Sequence, residues 1–183
     1  MGLRVPFFVI NPKSYLYGEE LLDLAKYADN KAEEYDVDIL FTAPFTELKT
    51  IADNTNYLTL TAQHMDSIPP GRGMGKIVGE MLKNIGVKAT FLNHVEHKIE
   101  NEEELEKVIK KCKNLDIQSV VCANSVEDAK KVASLGADII ICEPDELVGT
   151  GQTSSDEYMI STNNAIKEVN SQTQVLGTFR LSI

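Results

Sequence analysis

The sequence predicts an α/β fold in which a parallel β-sheet is covered by helices, and three observations lead to this prediction. Short apolar segments recur along the 183 residues, and amphipathic segments separate them. Within each short segment nearly every residue is apolar, without alternating polar residues. Strands of this kind are buried on both faces, which a closed barrel and an open doubly wound sheet both achieve. No G-x-G-x-x-G motif follows the first strand, which disfavours a dinucleotide-binding open sheet.

The predicted strands and helices alternate along the chain. We predict strands at 5–10, 38–42, 57–62, 89–92, 118–122, 138–142 and 174–176. We predict helices near 19–35, 46–54, 76–84, 101–114, 125–134 and 156–170, where apolar residues recur every three to four positions. Asn101 and Ser125 are suitable N-caps, and Gly86 and Gly136 stand where helices end. At this length we expect a single domain spanning residues 1–183.

Charge and composition exclude several classes of function. A net charge of -10 disfavours binding to nucleic acid or to an anionic membrane, because both require a basic face. No apolar stretch approaches the roughly 20 residues that span a bilayer. The three cysteines contain no C-x-x-C pair, which is typical of reduced thiols, so we expect a cytoplasmic protein.

Two further patterns are poor candidates for a binding site. The segment Gly71–Lys76 is similar to a nucleotide phosphate loop, but Pro70 replaces its first glycine and Ile77 replaces its hydroxyl residue. A metal site would need ligands spaced on one face, which the histidines do not provide. These histidines are His64, His94 and His97. We therefore expect no metal ion and no cofactor.

Polar residues follow several predicted strands, at the ends where parallel βα folds bind ligands. Asn11 and Lys13 follow the first strand, His94 follows the fourth and Glu143 follows the sixth. On a closed barrel these ends meet at one rim. A carboxylate, an imidazole and an ammonium group then suit proton abstraction beside a carbonyl, with Glu143 as the base. His94 would polarise the carbonyl oxygen, and Lys13 would offset the negative charge.

The segment after Glu143 is predicted to form a hinged lid, because a proline stands at one end and glycines stand at the other. Its residues are Pro144, Asp145, Glu146, Leu147, Val148, Thr150 and Gly151. The backbone N–H of Gly149 within it is suited to contact a phosphate oxygen.

Four motifs in this order resemble those of archaeal triosephosphate isomerases. Residues 11–15 (NPKSY) are similar to the family's N-x-K-T-Y, and residues 62–66 (AQHMD) to its A-Q-H-x-D. Residues 93–96 (NHVE) are similar to N-H-S-E, and residues 143–151 (EPDELVGTG) to E-P-x-x-x-[IV]-G-T-G. The resemblance extends over roughly residues 5 to 176.

The resemblance implies an α/β fold of the TIM (β/α)8 barrel type, incomplete, with about six βα units and a seventh strand. It implies interconversion of glyceraldehyde 3-phosphate and dihydroxyacetone phosphate through an enediolate, in glycolysis and gluconeogenesis. Asn11, Lys13 and Gly149 would bind this phosphorylated triose, and His94 and Glu143 would be catalytic. Glu96 would contact Lys13. The family also implies a homodimer or homotetramer, with no cofactor.

The sequence departs from the family pattern at several places. Val95 replaces a serine that contacts the catalytic carboxylate, and Met74 replaces a threonine in a loop that reaches the neighbouring subunit. The pattern stops after Gly177, so we expect a reading frame truncated or shifted near that residue, without the last strand and helices. Two alternatives stay open. One is a non-catalytic remnant that acts only as a subunit or phosphate-binding module, and the other is an enzyme for another phosphorylated sugar.

Overall fold

The structure is a computed structural model, and it describes residues 3–144 and 155–177. The strands of the described part are β1 (Phe7–Ile10), β2 (Asp38–Ala43), β3 (Thr59–Ala62), β4 (Ala89–Leu92), β5 (Gln118–Ala123), β6 (Ile139–Cys142) and β7 (Gln174–Leu176). The helices are α1 (Gly18–Tyr35), α2 (Leu48–Asn54), α3 (Gly79–Asn84), α4 (Glu102–Leu115), α5 (Val126–Ser134) and α6 (Asp156–Val169). One helix follows each of the first six strands, which confirms the predicted alternation.

The chain forms two compact units. The first unit comprises residues 1–90 and 114–118, and the second comprises residues 91–113 and 119–183, each as far as the structure describes it. The boundary falls within β4. The single domain expected over residues 1–183 stays a prediction.

The first unit is built on a parallel sheet. β1 pairs with β2, β2 with β3, and β3 with the first half of β4, all in parallel. Leu40 and Phe41 of β2 are fully buried, as is Leu21 of α1. Leu40 and Phe41 are consecutive and therefore face opposite sides of the sheet, so β2 is buried on both faces, as expected of a parallel sheet covered by helices. Because the strands are parallel, the loops after β1 and β3 leave the sheet at the same edge.

The second unit continues the same pattern with its own parallel pairs. β6 lies between β5 and β7 and pairs with both of them in parallel. Its core contains Val120, Ile139, Ile140 and Ile166, which are all fully buried. Asp138 connects the starts of two strands here, because its carboxylate accepts hydrogen bonds of 2.8 Å from the backbone N–H and hydroxyl of Ser119.

The ends of several helices follow the predicted capping pattern. Ser125 Oγ accepts a hydrogen bond from Asp128 N, and Asn101 Oδ1 accepts one from Glu104 N. Gly136 ends α5 with a φ of 84°, in the left-handed region that glycine tolerates best. These contacts confirm the caps that the sequence indicates.

Several predicted boundaries differ from the observed ones, and the largest difference is at the start of α3. We expect a helix from about residue 76, but α3 begins at Gly79. The preceding residues are extended, because Ile77 exchanges hydrogen bonds with Asp66 and Val78 forms an isolated parallel bridge with it. A tertiary contact with the loop after β3 therefore replaces the first helical turn.

Candidate active site

Asn11 and Lys13 directly follow β1 in the first unit. The Asn11 Oδ1 atom accepts a hydrogen bond of 3.0 Å from the backbone N–H of Lys13. The carbonyl oxygen of Lys13 accepts another, also of 3.0 Å, from Gln63 Nε2 in the loop after β3. Two side chains from different strand ends thus hold the Lys13 backbone, and Gln63 is a residue whose role the sequence did not indicate.

The backbone of Lys13 has a rare conformation. Its φ is 51°, and the other non-glycine residues with positive φ in the described part are Asp36, Asn93 and Asp116. Asp36 and Asp116 follow helices α1 and α4, where left-handed residues are common. Lys13 and Asn93 instead follow strands. Lys13 is a predicted site residue, and Asn93 directly precedes the predicted site residue His94. Sparsely populated conformations of this kind concentrate at functional sites.

Asp66 organises the loop that follows β3 in the first unit. Its Oδ2 atom accepts a 2.6 Å hydrogen bond from Ile77 N, and its Oδ1 atom accepts one of 3.1 Å from Lys76 Nζ. The buried His64 approaches the same carboxylate, with 3.6 Å between Nε2 and Oδ1. Partial burial acts to raise the pKa of Asp66, but these donors and positive charges lower it below its usual value. Asp66 therefore remains a carboxylate that closes the loop.

Asn93 anchors the loop that carries His94 in the second unit. Its Nδ2 atom donates a 3.1 Å hydrogen bond to the carbonyl oxygen of Cys122, near the end of β5. Its Oδ1 atom accepts one of 3.2 Å from Ile99 N, which closes the loop over residues 93–99. The backbone N–H of His97 also donates to the carbonyl oxygen of His94, at 2.8 Å. His94 is thus held by a closed loop fixed to β5.

The imidazole of His94 has one nitrogen occupied by the backbone. Its Nδ1 atom accepts a 3.2 Å hydrogen bond from the backbone N–H of Glu96. A nitrogen that accepts a hydrogen bond carries no proton, so the neutral ring carries its proton on Nε2. In this neutral form the Nε2–H group is the hydrogen-bond donor of the ring.

Glu143 follows β6 and is fixed to the same strand as Asn93. Its backbone N–H donates a 3.1 Å hydrogen bond to the carbonyl oxygen of Ala123, the residue after Cys122. Two consecutive carbonyl groups at the end of β5 therefore anchor the loop of His94 and the backbone of Glu143. Both side chains are half-buried, so each is partly shielded from water and accessible to a small molecule.

The predicted residues are distributed over both units. Asn11 contacts Lys13 in the first unit, while His94, Glu96 and Glu143 belong to the second. Pro144 is half-buried directly after Glu143. The predicted phosphate contact Gly149 and the remaining lid residues, Asp145, Glu146, Leu147, Val148, Thr150 and Gly151, lie outside the described residues. The meeting of all these groups around one ligand stays a prediction.

The described part of the chain offers neither a candidate metal centre nor a candidate membrane span. Within residues 3–144 and 155–177, no group of three or more histidine, cysteine, aspartate or glutamate side chains is arranged to hold a metal ion. None of the helices in those ranges has the length and apolar character that crossing a membrane requires.

Comparison with known proteins identifies the family. The family model described as Triosephosphate isomerase matches residues 6–181. The triosephosphate isomerase of Methanocaldococcus jannaschii is 39% identical over 173 residues, which cover 92% of this chain and 78% of that protein. Those of Methanothermus fervidus and Saccharolobus solfataricus are 35% and 31% identical, over 93% and 91% of this chain and 78% and 74% of their own lengths.

These matches confirm the resemblance and the fold class inferred from the four motifs. The described residues contain six βα units and a seventh strand of the TIM (β/α)8 barrel, so the barrel is incomplete over the part of the chain that the structure describes. The family is one of isomerases. This chain belongs to the triosephosphate isomerase family.

Proposed function

We propose that this chain interconverts glyceraldehyde 3-phosphate and dihydroxyacetone phosphate through an enediolate. The observation that carries the proposal is that the loop of His94, through Asn93, and the backbone of Glu143 are anchored on consecutive carbonyl groups of β5. This arrangement holds a base and a hydrogen-bond donor on one rigid element, which is what proton transfer beside a carbonyl requires. Membership of the triosephosphate isomerase family supports the choice of substrate.

Each catalytic group has a separate role in the proposed reaction. Glu143 removes a proton from the carbon beside the carbonyl of dihydroxyacetone phosphate and returns it to the former carbonyl carbon. The hydroxyl proton of the first carbon passes to the former carbonyl oxygen, so the atoms of the two trioses balance. The Nε2–H of His94 donates to the carbonyl oxygen as negative charge develops on it, because Nδ1 is already occupied by Glu96 N. This pairing of a carboxylate base with a neutral imidazole is the one established for the triosephosphate isomerase family.

Lys13 and Asn11 are the proposed substrate-binding residues of the first unit. The Lys13 ammonium would offset the negative charge of the enediolate and of the substrate phosphate. Asn11 and Gln63 support this role, because they hold the Lys13 backbone in its left-handed conformation. Glu96 is proposed to assist Lys13, as the family resemblance implies.

The proposal extends to the setting of the reaction. We place the enzyme in glycolysis and gluconeogenesis in the cytoplasm, where Cys112, Cys122 and Cys142 would remain the free thiols that they are here. A homodimer or homotetramer is proposed from the family. Sedimentation of the purified chain tests this assembly, and a monomer at micromolar concentration would contradict it.

An isomerase assay in both directions tests the function. We expect the purified chain to be active, and Glu143→Gln to lower kcat by about 100- to 10,000-fold because a positioned base is lost. Glu168→Gln, at an exposed position of α6, makes the same chemical change as a control and should leave kcat unchanged.

Two results would favour the alternatives. A protein that is folded by circular dichroism but inactive at high enzyme and substrate concentrations would indicate a non-catalytic remnant. An active protein that does not bind a phosphorylated hydroxamate mimic of the enediolate, but turns over a different sugar phosphate, would indicate another substrate.

A further inference from the structure

A side-chain contact links the strand before Glu143 to the helix that follows it. Cys142 is the last residue of β6, and its Sγ atom lies 3.2 Å from the hydroxyl oxygen of Tyr158 in the first turn of α6. The cysteine is 2% exposed, so water does not compete effectively for this contact. Both residues belong to the second unit, together with Glu143.

The contact between Cys142 and Tyr158 indicates on which side of β6 the Glu143 side chain lies. Successive side chains of an extended strand point to opposite faces. Cys142 faces α6, so Glu143 leaves the strand on the opposite side. The backbone N–H of Glu143 is bonded to Ala123 O on β5. The end of β6 is therefore held by its main chain on one neighbour and by the Cys142 side chain on another.

Tyr158 is itself held in place at the start of α6. The Ser155 hydroxyl oxygen accepts a 3.2 Å hydrogen bond from Tyr158 N, and the Ser155 carbonyl oxygen accepts one of 3.0 Å from Met159 N. An N-cap of this kind fixes the first helical turn. The Tyr158 hydroxyl is therefore presented to Cys142 from a rigid support.

We propose that Tyr158 is a positioning residue for Glu143 and acts through the Cys142 side chain. The phenol limits rotation of the β6 end, and so keeps the carboxylate of the adjacent residue in the orientation needed for proton abstraction. The predicted effect of Tyr158 on catalysis rests on the proposed isomerase function. The predicted effect of Tyr158 on the position of Glu143 rests only on the geometry of the second unit.

The chemical state of the thiol is compatible with this role. Burial raises the pKa of Cys142, and the hydroxyl groups of Tyr158 and Thr162 oppose this only in part. The thiol is thus neutral at physiological pH, and it forms a hydrogen bond with the phenol in which either group can be the donor. A single neutral bond of this kind predicts a moderate catalytic effect.

Steady-state kinetics of Tyr158→Phe test the proposal, because this change removes only the hydroxyl. We expect kcat and kcat/KM to fall by about fivefold with KM unchanged, since a misplaced base slows the chemical step and leaves substrate binding intact. Cys142→Ala should have a similar effect. The double variant should fall no further than the more affected single variant, because both changes remove the same contact.

Tyr57→Phe is the matched control. Its hydroxyl also donates a hydrogen bond, of 2.6 Å to Glu33 Oε1, but it lies in the first unit and outside the proposed site. We expect it to leave kcat unchanged. Equal losses of kcat in Tyr57→Phe and Tyr158→Phe would overturn the proposal, because the effect would then be a general consequence of losing a hydroxyl.

Amide hydrogen exchange gives a second readout that needs no activity. We expect Tyr158→Phe to speed exchange of the Glu143 N–H by about fivefold, and Tyr57→Phe to leave it unchanged. If the wild type is inactive but Tyr158→Phe still speeds exchange of the Glu143 N–H, the proposed function is refuted and the positioning of Glu143 by Tyr158 is supported. Unchanged Glu143 exchange in Tyr158→Phe would overturn the positioning role, whether or not the wild type is active.

Discussion

Asp29 connects helix α1 to the segment before β3, and its replacement should destabilise the fold strongly. Its side chain is only 8% exposed, and its carboxylate accepts hydrogen bonds from three consecutive backbone N–H groups. The distances from Oδ1 to Asn56 N, Tyr57 N and Leu58 N are 3.0, 2.7 and 3.1 Å. Asp29→Ala removes the acceptor for all three.

The expected loss follows from the number and exposure of these donors. A hydrogen bond to a charged group contributes about 1.5 to 3 kcal/mol, and water can partly replace it because Asn56 and Tyr57 are exposed. With roughly 1 kcal/mol left for each bond, Asp29→Ala should lower the free energy of unfolding by about 3 kcal/mol. Asp29→Asn keeps one oxygen acceptor and should lose about half as much.

Urea unfolding followed by circular dichroism measures this difference. Asp23→Ala is the control, because Asp23 is an exposed residue of the same helix, and it should change stability by no more than about 0.5 kcal/mol. An Asp29→Ala variant as stable as Asp23→Ala would refute the reasoning, since the carboxylate would then not hold this segment in solution.

Three further predictions concern the loops after β1 and β3. Because the pKa of Asp66 in the folded chain is below its usual value of 3.8, its ionised form stabilises the fold above that pH. This stabilisation is lost as the pH falls through the lower folded value, so thermal unfolding of the wild type should be more acid-sensitive than that of Asp66→Asn. Gln63→Ala frees the Lys13 carbonyl and should lower kcat/KM by about tenfold. Lys13→Gly should lower it by more than about 100-fold, while stability changes by less than about 1 kcal/mol because relief of the left-handed strain offsets the added chain entropy.

Each of these predictions has a contrary result. Equal acid sensitivity in the wild type and Asp66→Asn would show that the carboxylate does not stabilise the loop. Wild-type kcat/KM in Gln63→Ala would remove Gln63 from the support of Lys13. An unfolded Lys13→Gly chain would mean that the Lys13 side chain is needed for folding, so its loss of activity would say nothing about catalysis.

The strands were predictable because their signal is local. β4 and β7 have the predicted bounds, since four or three adjacent residues suffice to mark a buried strand. The start of α3 was not predictable, because it depends on the carboxylate of Asp66, which lies ten residues before Lys76 in the sequence. The spacing of apolar residues, which predicts helices, carries no information about a contact between Asp66 and the segment before α3.

The candidate catalytic and substrate-binding residues could be predicted from the sequence, but the side chains that hold them in place could not. Lys13, His94 and Glu143 follow strands, and this order in the sequence is enough to propose them. The supporting role of Gln63 depends on a contact across 50 positions to the Lys13 carbonyl. The role of Asn93 depends on a left-handed backbone conformation, which one asparagine in a sequence does not reveal. Both are amides at strand ends and both lie within family-like motifs, AQHMD and NHVE, which are the signals that could have indicated them.

The central claim is that Glu143 removes a proton from the carbon beside the substrate carbonyl. Deuterium incorporation into dihydroxyacetone phosphate in heavy water, followed by proton NMR, measures this step directly. The wild type should incorporate deuterium at the carbon that bears the hydroxyl group, and Glu143→Gln should do so at a rate lower by about 100-fold or more. Equal rates of incorporation by the two folded proteins, or none by the wild type, would contradict the assignment of Glu143 as the base.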